Sequence, residues 1–157
     1  MAQRPGTTPA PDAGPIPGPI PGMAWQLTAL GALPFLALAA MVFTAPDLAH
    51  GAAPALLAYG AVILSFMGGI HWGLAMAQND CAFGRMILSI VPALVAWIAL
   101  FLEFTTGFWV LALAFALLFG LDVAAAERNR APAWYPRLRR PVTILVVACL
   151  VLAALSA

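Results

Sequence analysis

The chain has 157 residues, 64% of them hydrophobic and only 8% charged, where soluble domains run about 45–50% apolar and about 25% charged. Seven basic and six acidic side chains, with a net charge of +1, cannot clothe a water-soluble globule of 16.4 kDa. A soluble enzyme, a nucleic-acid binder and a disordered chain are excluded, and the composition is that of a polytopic membrane protein.

Residues 1–22 stand apart. Seven prolines (Pro5, Pro9, Pro11, Pro15, Pro17, Pro19 and Pro21) among small residues leave little apolar surface to bury and predict a disordered, partly polyproline tail. With Arg4 as its one basic residue, followed directly by the proline-rich run, this stretch reads as a spacer rather than a secretory signal. The transmembrane domain is predicted over 23–157. A span needs about 20 apolar residues, because about 1.5 Å of rise per residue must cross about 30 Å of hydrocarbon. Segments near 25–44, 54–78, 85–103, 105–124 and 141–157 qualify. Their length and lack of alternation make them helices, which satisfy their backbone groups internally, so the fold class is an all-α bundle of five transmembrane helices. The breaks fall at Pro46-Asp47 with His50-Gly51, at Asn79-Asp80, at Thr105-Thr106-Gly107, and from Pro132 to Pro141.

Arginine sets the orientation, since the chain has no lysine. Arg4 precedes the first span, Arg85 lies in the second connection, and Arg128, Arg130, Arg137, Arg139 and Arg140 lie in the fourth. The other two connections carry Asp47, His50 and Glu103. The positive-inside rule then places the N-terminus in the cytoplasm and the C-terminus outside a bacterial inner (plasma) membrane.

The second helix carries the most information. Ala61, Ser65, Gly69, Gly73 and Ala77 recur every four residues, a stripe of small side chains that lets another helix approach. Packing within the bundle is the expected use of Ser65, Gly69 and Gly73, with contact between copies as the alternative. His71 lies about 200° around the helix from Gly69, on the face of Leu64, Gly68 and Ala75, so this helix is expected to be central. An ionisable group about 10 Å deep must find a partner. Ser89, Pro92 and Asp122 reach that depth from the third and fourth helices; Pro92 also frees the carbonyl of Leu88. His71, Trp72, Ser89 and Asp122 thus form the candidate polar cluster, either an interhelical hydrogen bond or a ligand site. Asp122 and Glu127 point about 140° apart and are not expected to share a site.

No cofactor or metal is predicted. The other histidine, His50, is too distant along the axis for a bis-histidine haem, and neither Cys81 nor Cys149 has a local CxxC or Cys/His partner. Trp134, Tyr135, Arg137, Arg139 and Arg140 read as a membrane-interface anchor drawn to anionic lipid at the cytoplasmic face. The bilayer itself and other membrane proteins are the expected partners.

Two runs resemble a known family. Gly68-Gly69-Ile70-His71-Trp72-Gly73, preceded by Tyr59-Gly60 and Ser65-Phe66, and the later Trp134-Tyr135-Pro136-Arg137-Leu138-Arg139-Arg140-Pro141 with Thr143, are similar to small bacterial membrane proteins and their mitochondrial relatives named after transmembrane protein 69. Leu33-Pro34-Phe35 in the first helix fits as well, and the resemblance covers residues 25–157. It implies a five-span inner-membrane protein and no particular activity. The residues themselves favour a structural, assembly or accessory role. Binding of a small hydrophobic molecule around His71, and a lipid-directed enzyme using His71 and Asp122, are the alternatives.

Overall fold

The computed structural model describes residues 19–79 and 82–156, all helical apart from short connections. The helices are α1 (Gly22–Thr44), α2 (Pro46–Ala77), α3 (Phe83–Ala99), α4 (Phe104–Glu127) and α5 (Tyr135–Ser156). Four of them, α1, α2, α4 and α5, are long and apolar enough to cross a bilayer, and α3 is a shorter apolar helix. The predicted tail lies outside the described residues up to position 18, and Cys81 lies outside them too. Cys149 is buried as a free thiol.

Three helix boundaries differ from the sequence expectation by more than three residues. The second helix begins at Pro46 instead of residue 54, so Ala45 alone joins it to α1. Proline at the first helical position gives up an N–H that has no partner there in any case, and Asp47 in the first turn complements the helix dipole. Pro54 is carried inside the helix. The last helix begins six positions early for a similar reason: Pro136 falls in its first turn, where amides are unpartnered, and Pro141 is accommodated within. The third helix stops at Ala99, where the backbone tightens. Leu100, Phe101 and Leu102 donate to Trp97, Ile98 and Ala99, each three residues back, the pattern of a 3₁₀ turn.

The other ends follow capping chemistry. Asn79 and Asn129 take left-handed backbone conformations (φ 52° and 55°), which asparagine tolerates at a helix C-terminus. After α4 the amide of Arg130 bonds the carbonyl of Ala125 at 2.8 Å, closing the last turn in a Schellman pattern.

The helices alternate in direction. Each packs on its sequence neighbour, α1 closes against α5, and α2 meets α4 across the middle. The helix α2 therefore touches α1, α3 and α4 and is central as expected, although Gly69 and Gly73 of its small-residue stripe stay open. Phe35 sits at the centre, edge-on to Tyr59 (5.0 Å) and Phe115 (6.1 Å), with Leu56, Leu64, Leu111, Leu118 and Leu150 buried around it. Tyr59 donates its hydroxyl to the Gly31 carbonyl at 2.8 Å, tying α1 to α2. Gln78 fastens the arginine-rich end, donating to the Arg130 carbonyl at 2.6 Å and accepting from Arg85 at 3.2 Å.

Candidate functional site

The site is built where α2, α4 and α5 meet near that end. On α2, Leu64, Gly68 and Ala75 form a buried face, and α3 presses against it at Gly68. A Cβ at Gly68 would lie 2.7 Å from the Ser89 carbonyl oxygen and 3.1 Å from Pro92 Cβ. His71 shares this face. On α4 the buried residues Leu111, Phe115, Leu118 and Asp122 recur at helical spacing, so the apolar stripe ends in a carboxylate. On α5 the corresponding buried stripe runs Arg139, Thr143, Val146 and Leu150, with Tyr135 one turn earlier.

Asp122 is 1% exposed and uses both oxygens. His71 Nε2 lies 2.9 Å from Oδ1, and Arg139 Nε donates to Oδ2 at 3.3 Å. An ionised carboxylate only accepts, so the histidine donates its Nε2–H. One carboxylate from α4 thereby holds one donor from each of two other helices. A buried acid in apolar surroundings is tolerated when it is both charge-paired and hydrogen-bonded, and the spacing supplies both.

The structure brings His71 and Asp122 together but leaves the rest of the predicted cluster apart. Ser89 is buried, yet its hydroxyl closes locally on the Met86 carbonyl at 2.7 Å. Trp72 is 39% exposed on the outer surface. Arg139 was expected among the headgroup anchors and instead sits inside, 5% exposed, because α5 starts early enough to turn position 139 onto the core face. Arg137 and Arg140 stay exposed at the surface, and Trp134 and Tyr135 are half-buried, their rings 6.2 Å apart. The signal for Arg139 was in the sequence: Tyr135, Arg139 and Thr143 are spaced by four and lead into Val146 and Leu150, a polar start to an apolar stripe.

The small-residue stripe also needs correction. Of the residues predicted to pack within the bundle, Gly69 and Gly73 are exposed, and nothing lies within 4 Å of a Cβ built on either. Ser65 is half-buried and donates to the Ala61 carbonyl of its own helix. The close helix approach occurs at Gly68 instead, because α3 docks on the face that carries His71.

None of the five cavities described is lined by His71, Trp72, Ser89 or Asp122. One of about 320 Å³, between α1, α2, α4 and α5, is lined by Arg139 and Thr143. Among the described residues no group of three or more His, Cys, Asp or Glu side chains is placed to hold a metal. His50, in α2, lies about 31 Å from His71 along the axis at about 1.5 Å per residue.

A helical multi-pass membrane protein with a buried Asp–His–Arg cluster is thus defined. Residues 20–155 match the family described as "Protein of unknown function (DUF3429)", and the chain belongs to that family. It is also similar to Transmembrane protein 69 of Xenopus tropicalis, 36% identical over 102 residues, covering 60% of this chain and 39% of that protein. The chain thus spans well under half the length of this curated relative. No solved structure matches.

Proposed function

We propose that this protein is a non-catalytic accessory or assembly component of the bacterial inner membrane, crossing it five times and packing beside other membrane proteins. The observation that carries the reading is the outward face of α2. Gly69 and Gly73 are open there, and Val62, Phe66 and Met76, on the same side within an arc of about 100°, are 64%, 64% and 59% exposed. A shallow groove with apolar walls is the surface against which a transmembrane helix packs by backbone approach. The polar cluster supports the same reading, because His71 and Asp122 are turned inward onto each other and border none of the cavities described.

The third helix belongs to this picture as the fifth span. Its 17 residues rise about 25 Å at about 1.5 Å each, and the 3₁₀ turn adds about 2 Å for each of three more residues. The sum is about the hydrocarbon thickness. The arginine-rich end faces the cytoplasm on the positive-inside argument, with the exposed Arg137 and Arg140 touching anionic lipid.

The test is native-size analysis in mild detergent of the wild type and of the double variant Gly69→Ile, Gly73→Ile. The wild type should run as a complex larger than one chain, and the variant should run as a single folded chain with unchanged melting temperature. Co-expression of two differently tagged copies separates self-association from a foreign partner. A wild type that runs as a single chain, or a complex indifferent to both substitutions, sinks the reading.

A further inference from the structure

The cavity beside the polar cluster has a chemistry of its own and shares with the outward face of α2 only Phe66. Its walls are apolar, with Leu27 and Gly31 on α1, Met67 on α2 and Phe115 on α4, except at Thr28 on α1 and along α5, where Arg139 and Thr143 line it. Both are 5% exposed. Arg139 Nη2 and Thr143 Oγ1 are buried and have no hydrogen-bond partner among the described residues. The threonine differs from three other helical hydroxyls of this chain. Thr44, Ser65 and Ser156 each donate to the carbonyl four residues back, whereas Thr143 leaves that bond unmade. Arg139 spends only Nε on Asp122, so the outer part of its donor fork is uncommitted.

The polarity is graded. Arg139 lies about 6 Å and Thr143 about 12 Å from the start of α5, and the inner end of the cavity is Phe35, Phe115 and Val146. Donors near the membrane surface with hydrocarbon beneath match a lipid standing in that leaflet. The opening is lateral. The buried residues of α1 are Ala32, Phe35, Ala39 and Val42, so its first two turns contribute no buried side chain. Leu27 and Phe66, both on the lining, are 63% and 64% exposed. A volume of about 320 Å³ falls at the lower end of the range for ligand pockets, about 300–1,000 Å³.

We propose that this cavity binds a single-chain amphiphile with an anionic head, carboxylate or phosphate. The Arg139 guanidinium and Thr143 hydroxyl bond the head, and Gly31, Phe35, Met67 and Phe115 receive the upper part of the chain. An ionised head is preferred because guanidinium–anion bonds are roughly twice as strong as neutral ones.

The test is photolabelling of the full chain in detergent with three diazirine probes of equal chain length: a fatty acid, a lysophosphatidic acid and an uncharged monoacylglycerol. At least one anionic probe should label peptides spanning 63–67 or 142–146, and the uncharged probe about tenfold less. Preference between the two anionic probes identifies the head as free fatty acid or phospholipid. Gly31→Phe, which puts a ring into the cavity where a Cβ meets nothing within 4 Å, should abolish that labelling. Thr143→Val should weaken it severalfold without unfolding the protein, and it decides the matter if the first variant does not fold. Equal labelling by the uncharged probe overturns the proposal. So does labelling indifferent to both substitutions, or an absence of labelling by either anionic probe, which would assign the two donors to water.

Discussion

Replacing Asp122 with asparagine tests the buried cluster most directly. The carboxylate accepts from His71 at 2.9 Å and from Arg139 at 3.3 Å while only 1% exposed. An amide of the same shape offers one acceptor and one NH₂ donor. His71 must then switch tautomer to accept at Nε2, or one incoming N–H meets a donor, and in either case the guanidinium loses its counter-charge in a site with little water. Breaking a buried pair from one side costs about 3–5 kcal/mol, or roughly two to four decades in the folding equilibrium at about 1.4 kcal/mol per decade. Arg139→Met should cost a similar amount, since it strands the Asp122 anion on His71 alone. The double variant removes both charges and should lose far less than the sum, with a coupling of at least about 2 kcal/mol. Reversible unfolding in mixed micelles, followed by helical circular dichroism across a sodium dodecyl sulfate titration, measures all four corners of the cycle. Single variants within about 0.5 kcal/mol of wild type, or additive effects within about 0.5 kcal/mol, would refute the pairing as the element joining α2, α4 and α5.

Other outcomes follow from the packing. Gly68→Ala should destabilise by about 1–3 kcal/mol, because the new methyl meets the backbone carbonyl of Ser89. Gly69→Ala, one residue on and facing outward, should stay within about 0.5 kcal/mol of wild type. The two melting curves side by side check the assignment of faces. Tyr59→Phe deletes the bond to the Gly31 carbonyl and should cost about 0.5–1.5 kcal/mol in the same titration. A paired alkaline phosphatase and fluorescent-protein reporter placed after Ala157 should be phosphatase-active and dark, as a C-terminus outside the cytoplasm requires; the opposite pattern inverts or reduces the set of spans.

Much of this architecture is legible in the sequence because bilayer physics is coarse. Apolar length gives the five helices, and the spacing of Leu64, Gly68, His71 and Ala75 gives the inner face of α2. Matching depth then leads from His71 to Asp122. The arginine is harder to place. Pro141 reads as a helix start and Arg137-Leu138-Arg139-Arg140 as a run of anchors, yet proline is equally at home inside a span whose neighbours re-satisfy the freed carbonyl. Beginning α5 at Tyr135 rotates one guanidinium inward. The glycine stripe misleads for a different reason. Periodicity shows which face of a helix permits close approach, not which face a neighbour takes, and α3 takes the face of Gly68. The hydroxyl of Ser89 was free in the sequence to reach another helix, and a local carbonyl simply lies nearer.

Ala45, the lone residue between α1 and α2, fixes the rotational phase of one helix against the other. Adding or removing a single residue there would turn α2 by about 100° relative to α1 and carry Tyr59 away from both Gly31 and Phe35. The stretch between α4 and α5, from Arg128 to Trp134, is longer, so the effect of such a change can be spread over several residues. Length variation among homologues is therefore expected to gather at the second joint and to be purged from the first.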